Sequence, residues 1–408
     1  MTLKQQIRQL LPGVVLQSYR SYQSWRELPP AAKAQGRQDR VSALGDDPGC
    51  ERAIQACLGW LARAQDRSTS TDGGVARHFS LLTGWAPSYP ETTGYIVPTL
   101  LREAALQNDP SLSERAKKML DWLVAIQLPG GGFQGGMVAQ EPLVAVTFNT
   151  GQILLGLAAG AGTLGDDVYV DAMHRAAAWL VETQDEDGCW RRHPTPFAAA
   201  GEKAYETHVA WGLFEAERVA PGHGYGEAGL RQVRWALTKQ QENGWFADCC
   251  LSDPTRPLTH TLGYVLRGVI EAYRLSEDDR FLRAARRTAD ALEARIESNG
   301  FLAGRFDKAC RPAVAWSCLT GSVQLAHCWL QLHTLTGDPA YLAAGRRVNA
   351  FVRRTIAIDG PADQRGGIRG SFPISGDYGR YEYLNWAAKF AIDSFRLELE
   401  VLDQDLTN

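Results

Sequence analysis

The chain has 408 residues, is 45% hydrophobic and 22% charged, and carries a formal charge of −3. These are ordinary globular proportions, with enough apolar content for a sizeable core. There is no basic surplus for nucleic acid or anionic lipid, so nucleic-acid binding is disfavoured at the outset.

Residues 1–27 read as a leading amphipathic helix, with an apolar run too short for a secretory signal. Residues 28–49, holding Pro29, Pro30, Gly36, Gly45, Pro48 and Gly49, read as a connecting segment. The expected division is 1–49 for this leader and 50–408 for one large domain.

From there one phrase recurs: an amphipathic helix ending in Trp-Leu-x-x-x-Gln or a near variant, a Gly-aromatic turn, then a smoother helix. The copies begin at Trp60, Trp122, Trp179 and Trp235, spaced 62, 57 and 56 residues apart. Two degenerate copies follow, around Ala291-Leu292 and from Tyr341 to Ile356. Fixed self-similarity at this period is the mark of a repeat architecture.

Six helix pairs result, at about 50–107, 112–164, 167–219, 226–275, 278–336 and 338–403. In each, the first helix is charged with a narrow apolar stripe and the second is smooth and rich in small residues. A helix apolar all round is buried, whereas one with a polar face lies at the surface. The prediction is an all-α (α/α)6 toroid with six helical hairpins, an outer and an inner ring, and an extra N-terminal helix. The long connections between first and second helices all fall on one face, where rigidly held loops carry function. The short ones, such as Thr336-Gly337-Asp338-Pro339, read as helix stops and starts.

Val144 to Leu164 reads as a buried helix and not as a membrane span. Eight cysteines form no C-x-x-C pair, and several lie in apolar helical phrases where a reduced cysteine acts as a small hydrophobe. A cytoplasmic location is expected. No zinc spacing, phosphate loop or dinucleotide fingerprint is present, so no metal or organic cofactor is implied.

The segment Trp179-Leu180 through Gln184 to Gly188-Cys189-Trp190 resembles the QW repeat of the prenyltransferase and squalene-oxidase/cyclase superfamily. That motif implies architecture only. The Asp-x-Asp-Asp acid of class II terpene cyclases is missing, which makes triterpene cyclisation a poor reading.

Over most of 50–400 the chain also resembles a bacterial group of (α/α)6 proteins found with surface-polysaccharide assembly. The phrases that carry this are Ser88-Tyr89-Pro90-Glu91 through Gly94-Tyr95-Ile96, Phe148-Asn149-Thr150-Gly151-Gln152, Thr259-His260-Thr261, Gly304-Arg305-Phe306-Asp307, Ser317 to Gly321 and Asn385-Trp386 to Lys389-Phe390. The ring is similar to six-hairpin glycosidases, uronate lyases and sugar epimerases. The resemblance implies an oligo- or polysaccharide substrate and, as possible partners, other polysaccharide-assembly proteins.

Candidate residues follow from position. Glu91 opens the first inner helix, where a carboxylate meets the helix dipole favourably. Asp307 in the fifth loop has no evident capping role. Glu91 and Asp307 are therefore the expected acid/base pair of a glycoside-hydrolase-like reaction. His260, at the start of the fourth inner helix, is the base of the alternative reading, a uronate lyase or C5-epimerase. A non-catalytic glycan-binding scaffold is the third. Tyr95, Glu206, His208, Trp245, Arg305, Arg380, Tyr383, Asn385 and Lys389 are the expected substrate contacts, with Arg380 or Lys389 neutralising a uronate carboxylate.

Overall fold

In the computed structural model, residues 25–41 and 44–407 are described. The leading helix expected within residues 1–27 lies almost wholly outside them.

Twelve helices alternate between two rings. The outer helices are α2 (Cys50–Asp66), α4 (Pro110–Ile126), α6 (Asp167–Thr183), α8 (Tyr225–Leu237), α10 (Asp279–Glu293) and α12 (Pro339–Arg353). The inner helices are α3 (Pro90–Gln107), α5 (Thr147–Leu164), α7 (Thr207–Val219), α9 (Thr259–Ser276), α11 (Leu319–Thr336) and α13 (Asn385–Thr407). Each inner helix packs on the next, and α13 returns to α3, so the ring closes as an (α/α)6 toroid. The tight hairpins run from inner to outer helix, which shifts the expected pairing by one helix. Consequently α2 packs on α13, the last helix of the chain.

The short turns explain that phase. Asn108, Gly165, Glu277 and Gly337 each end an inner helix in the left-handed region. The next residue, Asp109, Asp166, Asp278 or Asp338, caps the following outer helix by accepting from a backbone N–H two residues on. An αL stop followed at once by an Asp cap leaves no room for anything but an antiparallel neighbour.

The recurrent Gln ties adjacent outer helices together. Gln65, Gln127 and Gln184 each donate from Nε2 to a glycine carbonyl of their own turn and to a backbone carbonyl of the next outer helix. Gln240 reaches Ala284 O in the same way. The turn glycine has positive φ in all six repeats, at Gly73, Gly131, Gly188, Gly244, Gly300 and Gly366. At Gly188 an added Cβ would sit 2.6 Å from Arg231 O, so both conformation and space require glycine there. The two copies that look degenerate in sequence therefore keep the backbone device. Trp60, Trp122, Trp179 and Trp235 are all buried.

Close inner-ring packing rests on small residues too. A Cβ on Gly156 would fall 2.2 Å from Gly94 O of the neighbouring inner helix. The seam between α3 and α13 is instead polar: Thr99 bonds Asp393 at 2.7 Å, Arg102 pairs with Glu400, and Arg396 with Glu103.

Two features depart from the expected element order. Residues 28–49 contain a helix, α1 (Pro30–Val41), which starts on a proline as an N1 position favours. Its Asp39 pairs with Arg369 and accepts from Ile374 N, pinning α1 to the last loop. Five short strands also form on the loop face. β1 (His78–Ser80) lies between β2 (Gly84–Trp85) and β5 (Glu382–Leu384), while β3 (Ser317–Cys318) pairs with β4 (Ser371–Phe372). Pairing β1 with β5 joins the first loop to the last and closes the mouth of the ring. Among the described residues no helix is long and apolar enough to cross a membrane.

Candidate functional site

A cavity of about 200 Å³ opens at the loop mouth, over the N-termini of the inner helices. The second residues of four inner helices line it: Glu91 on α3, Phe148 on α5, His260 on α9 and Trp386 on α13. Side chains in the first turn point at the mouth because every inner helix enters the ring from the same side.

Among the described residues, Glu91 is the one carboxylate on the cavity wall. It is buried, and burial pushes its carboxyl up to about 7, against a hydrogen bond from Tyr89 and the charge of Arg77. Tyr89 Oη and Asn149 Nδ2 both donate to Oε2, each at 2.9 Å, so neither hydrogen bond falls on Oε1. Asn149 lies in the first turn of α5, one helix round the ring from Glu91.

His260 lines the same cavity and is 5% exposed. Burial lowers its pKa to about 4, so the ring is neutral near pH 7. Its Nδ1 sits 2.7 Å from Gln324 Oε1, which can only accept. That assigns the proton to Nδ1 and leaves the Nε2 lone pair available.

The walls are aromatic. Tyr95, Phe148, Tyr205, Tyr264, Tyr378 and Trp386 face the cavity. Burial holds the Tyr95, Tyr264 and Tyr378 phenols well above their ordinary value, so they are neutral donors and stacking surfaces. Arg77 stands at the rim with its guanidinium carbon 5.1 Å from the Trp386 ring centre and an ion pair to Glu382. The third loop, from Thr195 to Ala198, completes the wall.

Of the residues singled out in the sequence, Glu91, His260 and Tyr95 meet here. Asp307 does not line the cavity. Its Oδ1 accepts from the backbone N–H groups of Ala309 and Arg311, and its Oδ2 from Arg311 Nε, which makes it the lock of a turn. These bonds hold its carboxyl below the usual range, the opposite of what a general acid needs. The expected Glu91–Asp307 pair is therefore not assembled.

The remaining candidates have other surroundings. Arg305 donates to Arg256 O, Arg380 lies over the Tyr381 ring, and Trp245 is buried within the fourth loop. Asn385 donates to Ala76 O, fastening α13 to the first loop. Tyr383 Oη is shared between Gln35 and Gln364 on the α1 side. Glu206 and His208 are buried behind the cavity wall. Burial pushes the Glu206 carboxyl to about 8, while His208 Nδ1 bonds Gln152. Lys389 lies deeper in the ring, paired with Asp393.

Arg77, Asn149, Tyr264, Tyr378 and Trp386 are among the cavity residues that site reasoning from sequence passed over. The signal for two of them was register: Asn149 and Trp386 sit in the same first turn as Glu91 and His260. Among the described residues no cluster of His, Cys, Asp or Glu could hold a metal ion.

No protein-family model matches the chain, and no curated protein matches it in sequence. Solved structures do match in shape. An unsaturated glucuronyl hydrolase specific for heparin superposes with a TM-score of 0.69 at 16% identity, covering 88% of this chain and 98% of its own. The cellobiose 2-epimerase of Bacillus thermoamylovorans gives 0.67 at 12% identity, covering 85% and 97%. A GH76 α-mannanase of Bacteroides thetaiotaomicron gives 0.60 at 11% identity, covering 88% and 97%. At these identities the likeness establishes the fold, an (α/α)6 toroid of six hairpins.

Proposed function

We propose that this chain is a carbohydrate-active enzyme that moves a proton on a single sugar ring, with Glu91 and His260 as the two proton-transfer groups. The observation that carries the reading is Glu91: the lone wall carboxylate among the described residues, buried, with a pKa of about 7. A group poised near the working pH can both take and give a proton. Neutral His260, with Nε2 free to accept, is the complementary base.

Aromatic walls suit the apolar faces of a pyranose, and about 200 Å³ suits one ring rather than a long chain. Arg77 at the rim can neutralise a uronate carboxylate or a developing enolate. One group removes the proton beside the carboxylate or carbonyl. The other returns a proton to the opposite face, giving epimerisation, or protonates the departing oxygen, giving elimination. The unsaturated-glucuronyl hydrolase and epimerase among the structural neighbours support the sugar class. Eight buried free thiols support a reducing compartment, the cytoplasm.

Incubation with uronate-containing oligosaccharides in D₂O tests this. Deuterium in the product, or an unsaturated product absorbing in the near ultraviolet, is the expected result. The raised pKa of Glu91 also favours a second reading, glycosidic cleavage with Glu91 as general acid. New reducing ends with neither deuterium nor absorbance would select it. Saturable glycan binding with no turnover would overturn both.

A further inference from the structure

The ring has a second opening at the end opposite the loops. There a cavity of about 370 Å³ is lined by residues from the middle and C-terminal parts of α3, α9 and α11, from the stretch Lys389 to Glu400 of α13, and by Trp211 of α7. Its wall is cationic. Arg102, Arg267, Arg274 and Lys389 line it against two carboxylates, Asp393 and Glu400. A third carboxylate, Glu271, sits behind the wall, 2.9 Å from Arg267 and 3.7 Å from Arg274. Four cations and three carboxylates leave a positive surplus in a partly enclosed space.

Two buried polar atoms on this wall have no partner. His327 Nδ1 and Gln331 Oε1 are one turn apart on α11, and their residues are 7% and 5% exposed. Gln331 Nε2 is already committed to Glu271, so the orphan oxygen can only accept from something in the cavity. Buried polar groups are almost always satisfied, and orphans of this kind mark a place where a ligand or water belongs. Burial, then the charges of Arg267, Lys389 and Arg102, push His327 well below its ordinary value against a hydrogen bond with the Asp393 backbone, which keeps the ring neutral. Lys389, only 1% exposed, is held at the bottom by Asp393 at 2.7 Å.

We propose that this rear cavity is a binding site for a small hydroxylated anion, a sugar phosphate or a sugar acid, distinct from the cavity at the loop mouth. The anionic group meets Arg102, Arg274 and Arg267, and Arg guanidinium suits both phosphate and carboxylate. A ligand hydroxyl donates to Gln331 Oε1, and His327 Nδ1 takes a second polar contact. The space falls within the range of small-molecule sites. The proposal does not depend on the reaction at the front cavity.

Calorimetry on the whole chain at low ionic strength tests it, with glucose 6-phosphate and glucuronate as the two anion sources and glucose as the neutral control. One equivalent of at least one anion is expected to bind, and glucose is not. Arg102 and Arg274 are the partly exposed members, so the Arg102→Gln/Arg274→Gln variant leaves the Arg267–Glu271 and Lys389–Asp393 pairs in place. It should weaken binding by about tenfold or more. Arg77→Gln, at the other mouth, should leave the affinity unchanged. The proposal falls if neither anion binds, if the double arginine variant binds as tightly as the parent, or if binding is lost in Arg77→Gln. Glucose binding as well as either anion would equally overturn it.

Discussion

Asn149 on the second inner helix donates from Nδ2 to Oε2 of Glu91 on the first, across 2.9 Å of buried interface. The bond joins neighbouring hairpins at the point where the ring opens to solvent. It also fixes which carboxylate oxygen faces the cavity, since Tyr89 Oη converges on the same atom. Orientation of this carboxyl is thus a property of the ring rather than of one helix.

Tyr89 and Arg77 both favour the Glu91 anion and partly offset the rise that burial imposes. Removing either should therefore raise the pKa further. The limb of the pH–rate profile that reports Glu91 should move upward from about 7 in Tyr89→Phe and in Arg77→Gln. Glu91→Gln should cut turnover by roughly 10²–10⁴-fold while substrate binding changes little. A profile unmoved by both neighbours would show that the limb belongs to another group.

Asp307→Asn should leave turnover within about twofold, far from the 10²–10⁴-fold that loss of a general acid costs. The carboxylate accepts two backbone bonds and one from Arg311, all local to its turn. Asparagine keeps an oxygen for the backbone donors. A collapse of activity with an unchanged circular dichroism spectrum would restore Asp307 to the chemistry.

The rings were legible because burial writes itself into helix periodicity. The charged first helices and smooth second helices, the Gln at four outer-helix ends and the Asp that follows four of the helix stops all lie in contiguous sequence. What local pattern could not supply was phase and convergence. The pairing of α2 with α13 joins residues some 300 positions apart. Glu91 and His260 share a wall because both occupy the first turn of an inner helix. Asp307 misled because an Asx-type turn and a catalytic carboxylate look alike in a Gly-rich loop. Lys389 misled differently: it lies one turn down α13 from Trp386, and that turn carries it through the ring towards the far opening.

Gln184→Ala should destabilise the fold by about 1–3 kcal/mol, because the Gly188 and Ala228 carbonyls each lose a donor in a dry setting. Arg231 Nη2 also loses its acceptor, at 2.6 Å. The same change at Gln127 should cost a similar amount, since its two bonds have the same form. Urea unfolding checks both. A negligible effect would mean that the repeat glutamine only decorates an interface held by Trp179 and its counterparts.

Stability should peak between pH 6 and 7. Partly buried His78 and buried His260 have pKa values of about 4, and burial holds His208 and His327 well below their ordinary value. The unfolded chain binds protons at these four near 6.5 and the native state does not, so stability rises with pH from about 4 to 6.5. Glu91 and Glu206 act oppositely, with native values of about 7 and 8. Their contribution is complete below the unfolded value near 4.5 and is lost as pH rises through 7 and 8. Glu206→Gln should therefore flatten the decline above pH 7, measured as the thermal midpoint across buffers. A wild-type midpoint that keeps rising to pH 8 would contradict the assigned burial of both carboxyls.

The Lys389–Asp393 pair should behave as a buried ion pair at the ring seam. Nζ lies 2.7 Å from Oδ2, and Thr99 of α3 donates to Oδ1 of the same aspartate. Asp393→Ala leaves a buried ammonium with no counter-ion and should cost about 3–5 kcal/mol. Burial already lowers the Lys389 pKa, so the variant should shed the proton and lose less stability at high pH than at neutral pH. Lys389→Met introduced on top of Asp393→Ala should recover most of the loss. The methionine meets the Tyr95 and Phe390 rings that the ammonium now overlies at 5.3 and 4.4 Å. Purely additive losses in the double variant would show that the two residues contribute independently, and that the α3–α13 seam is held by Arg102–Glu400 and Arg396–Glu103 alone.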